Sequence, residues 1–384
     1  MVLFLLVFFL IYGGLHLYLF AKIRGAFHPG FGSSLCLIFF LIVMLLAPIA
    51  VRVSERYGFE SLARIISYVG YLWMGVLFLF ITLSLIFDFY HFFIRAGGFI
   101  FRRELSHLVI PPLYAFMLPV ILSLVLNMYG YFEAKDVRTE KITIGSPKIP
   151  EKTGRIRIVQ ITDIHLGLVV REDRMRRIIE EVIKTEPDVL VSTGDLVDGQ
   201  INNLDEAMGL LREIRPKYGK YAVTGNHEFF AGLDQALEFL GNSGFTVLRG
   251  EGATVAGLIN IIGIDDPAGI RYGLYKGVSE GELLSRFPGA HFTVLLKHLP
   301  IVERDASGMF ELQLSGHTHG GQIFPFCFIT KLFFPFHEGN FTFRNNSRLY
   351  VSRGAGTWGP PIRFLSPPEI TVIDIVHEKK CETP

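Results

Sequence analysis

Thiols are rare in this chain: Cys36, Cys327 and Cys381 are isolated among 384 residues, with no Cys-x-x-Cys pair, which excludes a disulfide framework and a thiolate metal site. Charge is short as well. Asp, Glu, Lys and Arg make up 19% of the residues, against about 25% in an ordinary soluble domain. The net charge of +1 leaves no basic excess to neutralise a phosphate backbone, so no nucleic-acid partner is expected. The 50% hydrophobic content excludes a disordered chain, and no internal repeat is visible.

The shortage of charge is local. Residues 1–132 hold eight basic and four acidic side chains, whereas the rest has the composition of a globular domain. A helix crossing the bilayer core needs about 20 mostly apolar residues. Four runs meet or approach that length: 2–20, 35–51, 65–87 and 108–132. The first lacks a basic leader and exceeds the usual apolar stretch of about 7–15 residues in a signal peptide, so it reads as a retained span. Pro48 lies near one end of the second, and Pro111, Pro112 and Pro119 predict that the fourth starts or kinks there. Ionisable residues in or at the ends of the runs are few, namely His16 in the first and Asp88 and His91 at the end of the third, which favours an anchor over a transporter or channel.

Four spans put both termini on one side. With that side cytoplasmic, the inner segments carry Arg52, Arg56, Arg64, Lys135, Arg138, Lys141 and Lys148, against Lys22, Arg24, Arg95, Arg102 and Arg103 outside. This balance predicts an integral multi-pass protein of the cell inner membrane with its carboxyl domain in the cytoplasm. Composition divides the chain into an anchor (1–132), a polar linker (133–152) and a catalytic-type domain (153–384).

Within the last region short apolar strands alternate with amphipathic helices. Strands are expected at 155–162, 188–193, 220–224, 257–263, 292–297, 312–315, 348–352 and 370–376, and helices at 171–185, 204–214 and 233–240. Such alternation predicts an α/β domain. Ligands of α/β sheets gather beyond the carboxyl ends of strands, and the polar clusters of this chain lie there. They are Asp163-Ile164-His165, Gly194-Asp195-Leu196-Val197-Asp198, Gly225-Asn226-His227-Glu228, Lys297-His298, and Gly316-His317-Thr318-His319.

Alternate residues of an extended segment point the same way, so Asp163 with His165, and His317 with His319, are each expected to present two ligand atoms to one side. Carboxylate, imidazole and amide oxygens suit divalent Mn, Zn or Fe. Asp195, with two oxygens, is the natural bridge between two ions. Each fragment alone has a commonplace explanation, as a turn, a polar strand end or a core histidine. Five of them in order, each at a strand end, do not.

These motifs resemble those of the calcineurin-like metallophosphoesterases: DxH, GDxxD, GNHD/E, a single His after a strand, and GHxH. The stretches 315–322 (SGHTHGGQ) and 350–370 (YVSRGAGTWGPPIRFLSPPEI) are similar to a membrane-anchored bacterial branch. The resemblance implies a four-layer αββα sandwich and a hydrolase with a dinuclear metal centre. It further implies one ion held by Asp163, His165, Asp195 and His319, and a second by Asp195, Asn226, His298 and His317. His227 would protonate the leaving group or stabilise transition-state charge, with Asp198 orienting its ring. Glu228 stands where many relatives have Asp, at a position that is not a ligand in the pattern. Lys297 precedes His298 where a neutral residue is more usual, and reads as a solvated strand end in preference to a phosphate contact.

The expected substrate is a phosphoester, with lipid-linked forms favoured by the anchor. Alternatives are a pyrophosphohydrolase of a nucleotide-diphosphate glycolipid such as UDP-diacylglucosamine, and a non-catalytic membrane sensor or scaffold. Residues 323–336 (IFPFCFITKLFFPF) carry six phenylalanines and are open to two readings, a segment meeting membrane lipid or a buried loop. Asn340 and Asn345 begin sequons, relevant only in a glycosylating compartment.

Overall fold

The computed structural model describes residues 2–199, 201, 203–343 and 345–378, with Cys381 outside the described residues. The chain forms two compact units, one comprising Met1–Phe132 with Gly359–Ile362 and the other Glu133–Trp358 with Arg363–Pro384.

The first unit contains α1 (Val2–Phe27), α2 (Phe31–Arg56), α3 (Glu60–Phe101) and α4 (Pro112–Glu133). All four are long and apolar enough to cross a membrane. A helix satisfies its own backbone hydrogen bonds, the only solution for an open segment in hydrocarbon. Pro112 is the first residue of α4, where its missing N–H is no loss, and Pro48 and Pro119 lie inside helices. At 42 residues, α3 continues well past the apolar run 65–87 on both sides. The run ends at the charges Arg64 and Asp88, but neither residue breaks a helix, and α3 stops only at Arg102 in the left-handed region. Polar side chains of these helices pair with one another: Tyr18 Oη donates to Asp88 Oδ2 at 2.6 Å, Lys22 pairs with Asp88, and Trp73 Nε1 donates to His16 Nε2 at 3.0 Å, whereas His91 Nε2 is buried without a hydrogen-bond partner. A Cβ on Gly70 would stand 2.8 Å from that of Ala47, so glycine permits the close approach of α2 and α3.

The second unit is built on two six-stranded mixed sheets. In chain order its elements are β1 (Arg138–Ser146), β2 (Arg155–Ile161), α5 (Glu172–Lys184), β3 (Val189–Ser192), α6 (Asp205–Glu213), β4 (Lys220–Ala222), α7 (Asn226–Ala231), α8 (Leu233–Asn242), β5 (Thr246–Val247), β6 (Glu251–Val255), β7 (Ile259–Ile264), α9 (Ala268–Arg271), α10 (Glu280–Ser285), β8 (Phe292–Lys297), β9 (Leu312–Ser315), α11 (Cys327–Phe333), β10 (Gly339–Thr342), β11 (Arg348–Val351) and β12 (Glu369–His377). One sheet has the order β1-β12-β2-β3-β4-β5, the other β10-β11-β9-β8-β7-β6.

Side-chain alternation along the strands makes the layers. In the first sheet Ile158, Val189, Val191 and Ile373 face Ile261, Val294, Leu296 and Leu314 of the second, forming the core between sheets. Their neighbours Val159, Leu190 and Val372 point the other way, onto Met175, Ile178 and Val182 of α5 and Leu210 and Leu211 of α6. On the far face of the second sheet, Ile262 and Leu295 pack on Leu283 and Leu284 of α10. The αββα sandwich follows. A register slip of one residue would exchange these sets, which fixes the pairing.

The segment read as a linker is not one throughout. Residues 138–146 are β1, which pairs in parallel with β12 over nine residues, from Arg138 opposite Glu369 to Ser146 opposite His377. As an edge strand it needs few apolar side chains, so composition alone does not reveal it.

Candidate metal centre

Every motif lies just past a strand of the two central groups: Asp163 and His165 after β2, Asp195 and Asp198 after β3, Asn226 and His227 at the start of α7 after β4, His298 after β8, and His317 and His319 after β9. Parallel neighbours end at one level, so their loops converge.

The means of convergence differs from the sequence expectation. Asp163 (φ 53°), His165 (φ 56°), Asp195 (φ 51°), His317 (φ 72°) and His319 (φ 52°) are all left-handed, not extended. Pleat alternation therefore does not aim these side chains. Each chain leaves its strand in a tight reversal, and the reversal turns the side chain inward. Left-handed backbone at a non-glycine residue costs on the order of 1–3 kcal/mol and persists only where surrounding structure enforces it. Part of that enforcement is close backbone approach. A Cβ on Gly225 would collide with the Asp195 carboxylate, and one on Gly316 with that of Asp163.

Three overlapping groups of ligand-type atoms result, each with its atoms within 4.8 Å of one another: Asp163 with His165 and His319, Asp195 with His298 and His317, and, between them, His165 with Asp195 and His227. The first two are drawn from the residues of the two expected ion sites. In the first, His165 Nε2 lies 3.0 Å from His319 Nε2, and that atom is 3.4 Å from Asp163 Oδ1. In the second, His298 Nε2 is 3.2 Å from both Asp195 Oδ2 and His317 Nδ1. Asp195 Oδ2 also faces His165 Nε2 at 3.8 Å, so a single oxygen looks toward both groups. The other oxygen, Oδ1, accepts the His227 N–H at 2.8 Å, which fixes the carboxylate. His298 Nδ1 lies 2.8 Å from the Thr193 carbonyl, an acceptor that directs the Nδ1 proton there and leaves the Nε2 lone pair for the cluster.

These residues fit a pair of divalent cations. Imidazole nitrogens gathered within about 3 Å of one another, with carboxylates beside them, are the donor set such ions take. Asn226 adds to the fit, since its Oδ1 is buried with no hydrogen-bond partner.

His227 lies beside this donor set. Its Nδ1 is 2.7 Å from Asp198 Oδ1, and its ring stands edge-on to His165 at 4.6 Å. Burial opposes charge on His227, but the carboxylates of Asp195 and Asp198 outweigh it and raise the imidazolium pKa to about 9. Burial likewise opposes ionisation of Asp198, and its bonds to His165 and His227 prevail, holding its carboxyl below the usual range. In that protonated form His227 would be able to give a proton.

Two supporting residues carry no motif-level signal of their role. Glu228, fully buried, accepts the N–H groups of Gly225 at 2.6 Å, Leu196 at 2.8 Å and Asp195 at 3.0 Å, stitching the Asp195 loop to α7. Arg363 is 0% exposed and donates to the carbonyls of His319 (2.9 Å), Gly356 (2.6 Å) and Arg353 (2.9 Å), with a further contact to His319 Nδ1 at 3.1 Å. Burial, with the charge of Arg174, lowers its guanidinium pKa to about 9, still protonated at neutral pH. The available sign was an arginine inside the apolar run GPPIRFL. Lys297, by contrast, is neither solvated nor turned to the cluster: it is buried and ion-paired with Glu280.

The comparisons with known proteins agree with the geometry. The model of the calcineurin-like phosphoesterase family matches residues 156–321. An uncharacterized metallophosphoesterase of Aquifex aeolicus is 40% identical over 257 residues, covering 67% of this chain and 98% of that protein. A Danio rerio transmembrane protein with metallophosphoesterase domain is 33% identical over 270 residues, and the match takes in 67% of this chain and 62% of the fish protein's length. A dimetal phosphatase from Danio rerio aligns with a TM-score of 0.34 at 13% identity, over 53% of this chain and 89% of that one. The chain belongs to the calcineurin-like metallophosphoesterase family.

Proposed function

We propose that this protein is a membrane-anchored phosphoesterase, with residues 1–132 as the anchor, that hydrolyses a phosphodiester or phosphomonoester in the cytoplasm. The observation that carries the reading is the meeting of two donor groups on Asp195 Oδ2. Asp163, His165, Asp195 and His319 would hold one ion and Asp195, Asn226, His298 and His317 the other. Two divalent ions, Mn, Zn or Fe, supply an activated hydroxide and neutralise charge on the phosphoryl oxygens when bound. The chain's own residues then govern the proton. His227 gives one to the leaving oxygen, Asp198 keeps its ring in place, and the ring is reprotonated from solvent, its charged form favoured by the Asp198 carboxylate.

A lipid-linked substrate, including a nucleotide-diphosphate glycolipid, is the second reading, and the exposed apolar side chains of α11 favour it. Metal analysis of the purified full chain, coupled to a panel of phosphomonoesters, phosphodiesters and lipid-linked pyrophosphates, tests both. Two equivalents of metal and hydrolysis abolished by Asp195→Asn are expected. Stoichiometric metal without hydrolysis of any panel member would overturn the catalytic reading in favour of a sensor or scaffold.

A further inference from the structure

The segment after the last metal motif lies beyond the family match, which ends at residue 321, and it does not form a buried loop. Residues 327–333 form α11 with two unlike faces. Thr330 is buried, and Cys327 packs on Gly321, where an added Cβ would meet it. Phe334, just past the helix, sets its ring edge-on to His317 at 5.0 Å. On the other side Phe328, Ile329, Leu332 and Phe333 are exposed, Leu332 at 82% and Phe333 at 75%. Their spacing of three and four residues makes one stripe. Phe324 extends it, pairing with the ring of Phe328 at 5.7 Å.

Five large apolar side chains held out to solvent within ten residues are a cost that water does not repay. We infer that α11 is an interfacial helix, with Phe324, Phe328, Ile329, Leu332 and Phe333 seated among the acyl chains and glycerol groups of the membrane. The occupant follows from charge and from chain length. Between Ile323 and Phe336 there is no Asp or Glu, and the single charge is Lys331. A second copy of residues 323–336 offers no carboxylate to that ammonium, the nearby Glu338 being paired with His337, whereas phospholipid headgroups supply anions, with the lysine stem lying along the apolar boundary. The chain also supplies the bilayer: α4 ends at Glu133 and β1 begins at Arg138, and the few residues between cannot span more than about 3.5 Å each. Through Phe334 the interfacial stripe is one side chain removed from His317, so it would hold the cluster at headgroup depth.

The test reads lipid contact directly and is independent of whether any phosphoester is cleaved. In the full chain with Cys36, Cys327 and Cys381 replaced by Ser, a single Leu332→Cys or Phe333→Cys is labelled with an environment-sensitive fluorophore. The protein is reconstituted at one copy per nanodisc in phosphatidylethanolamine and phosphatidylglycerol. Glu238→Cys on α8 serves as the water-exposed reference and Phe39→Cys on α2 as the membrane reference, and bound metal reports that each variant is folded. The inference expects both α11 probes to be blue-shifted and to lose more than half of their emission to lipids spin-labelled at a shallow acyl carbon. Probes that behave like Glu238→Cys, quenched by iodide and not by lipid, would overturn it. So would a blue shift that appears only when two copies share a disc.

Discussion

Polar side chains in the two units meet opposite fates. In the apolar helices of the first unit Lys22, Tyr18 and Asp88 close on one another, and His16 is taken up by Tyr12 and Trp73. In the second unit Asp163, His165, Asp195, His298, His317 and His319 are crowded together into overlapping groups of ligand-type atoms, and the Asn226 amide oxygen has no partner. Pairing satisfies the first set locally. The second is arranged at the expense of such pairing, with five residues in left-handed backbone. Burial alone does not mark a functional polar group; the convergence of several carboxylate and imidazole side chains on one point does.

The contrast can be broken most severely at Asp195. Asp195→Asn is expected to lower turnover on the order of 10⁴-fold or more and to reduce bound metal below two equivalents, since its oxygen faces both donor groups. His227→Ala should lower turnover by about 10²–10⁴-fold with metal content unchanged. Equal loss of metal in the two variants would make His227 a ligand and not a proton donor. Arg363→Met strands several carbonyls, including that of His319, so a loss of about 3 kcal/mol or more in thermal or denaturant unfolding is expected, with weakened metal retention. At the other pole, Lys22→Met combined with Asp88→Asn should cost at most about 1 kcal/mol, because the pair is partly exposed, and leave metal content and turnover as they were. A change in turnover there would show that the polar pairs of the helices serve more than packing.

Much of this contrast is readable from residues alone, for identifiable reasons. The strands β8 and β9 coincide with the expected 292–297 and 312–315, because central strands buried on both faces are unbroken apolar runs with polar ends. The ligand-type residues were legible because their order is encoded in short motifs. Their geometry was not. Two residues apart suggests a pleat, and nothing in Asp-Ile-His distinguishes that from consecutive reversals set by distant contacts. Glu228 was read only as a departure from pattern, and its three short N–H contacts depend on the packing of α7 against the loop after β3. Strand β1 escaped because Arg138, Thr139, Glu140 and Lys141 look like solvated chain until β12 is beside them. Helix α11 was not expected as a helix, and composition left its apolar heptapeptide between Pro325 and Pro335 equally open to a buried loop and to a lipid-facing segment, because the same residues suit both; the coordinates put its stripe on the outside.

The pairing of β1 with β12 has a bearing on biogenesis. Translation delivers Arg138–Ser146 directly behind α4, yet the partner that completes its hydrogen bonds is Glu369–His377, more than two hundred residues later. Throughout that interval the nascent chain carries a naked strand edge. Joining so distant a pair is intrinsically slow. The earliest vulnerable species on the ribosome is thus an unpaired ribbon awaiting its last-made neighbour, and the two-sheet body closes only when that neighbour emerges.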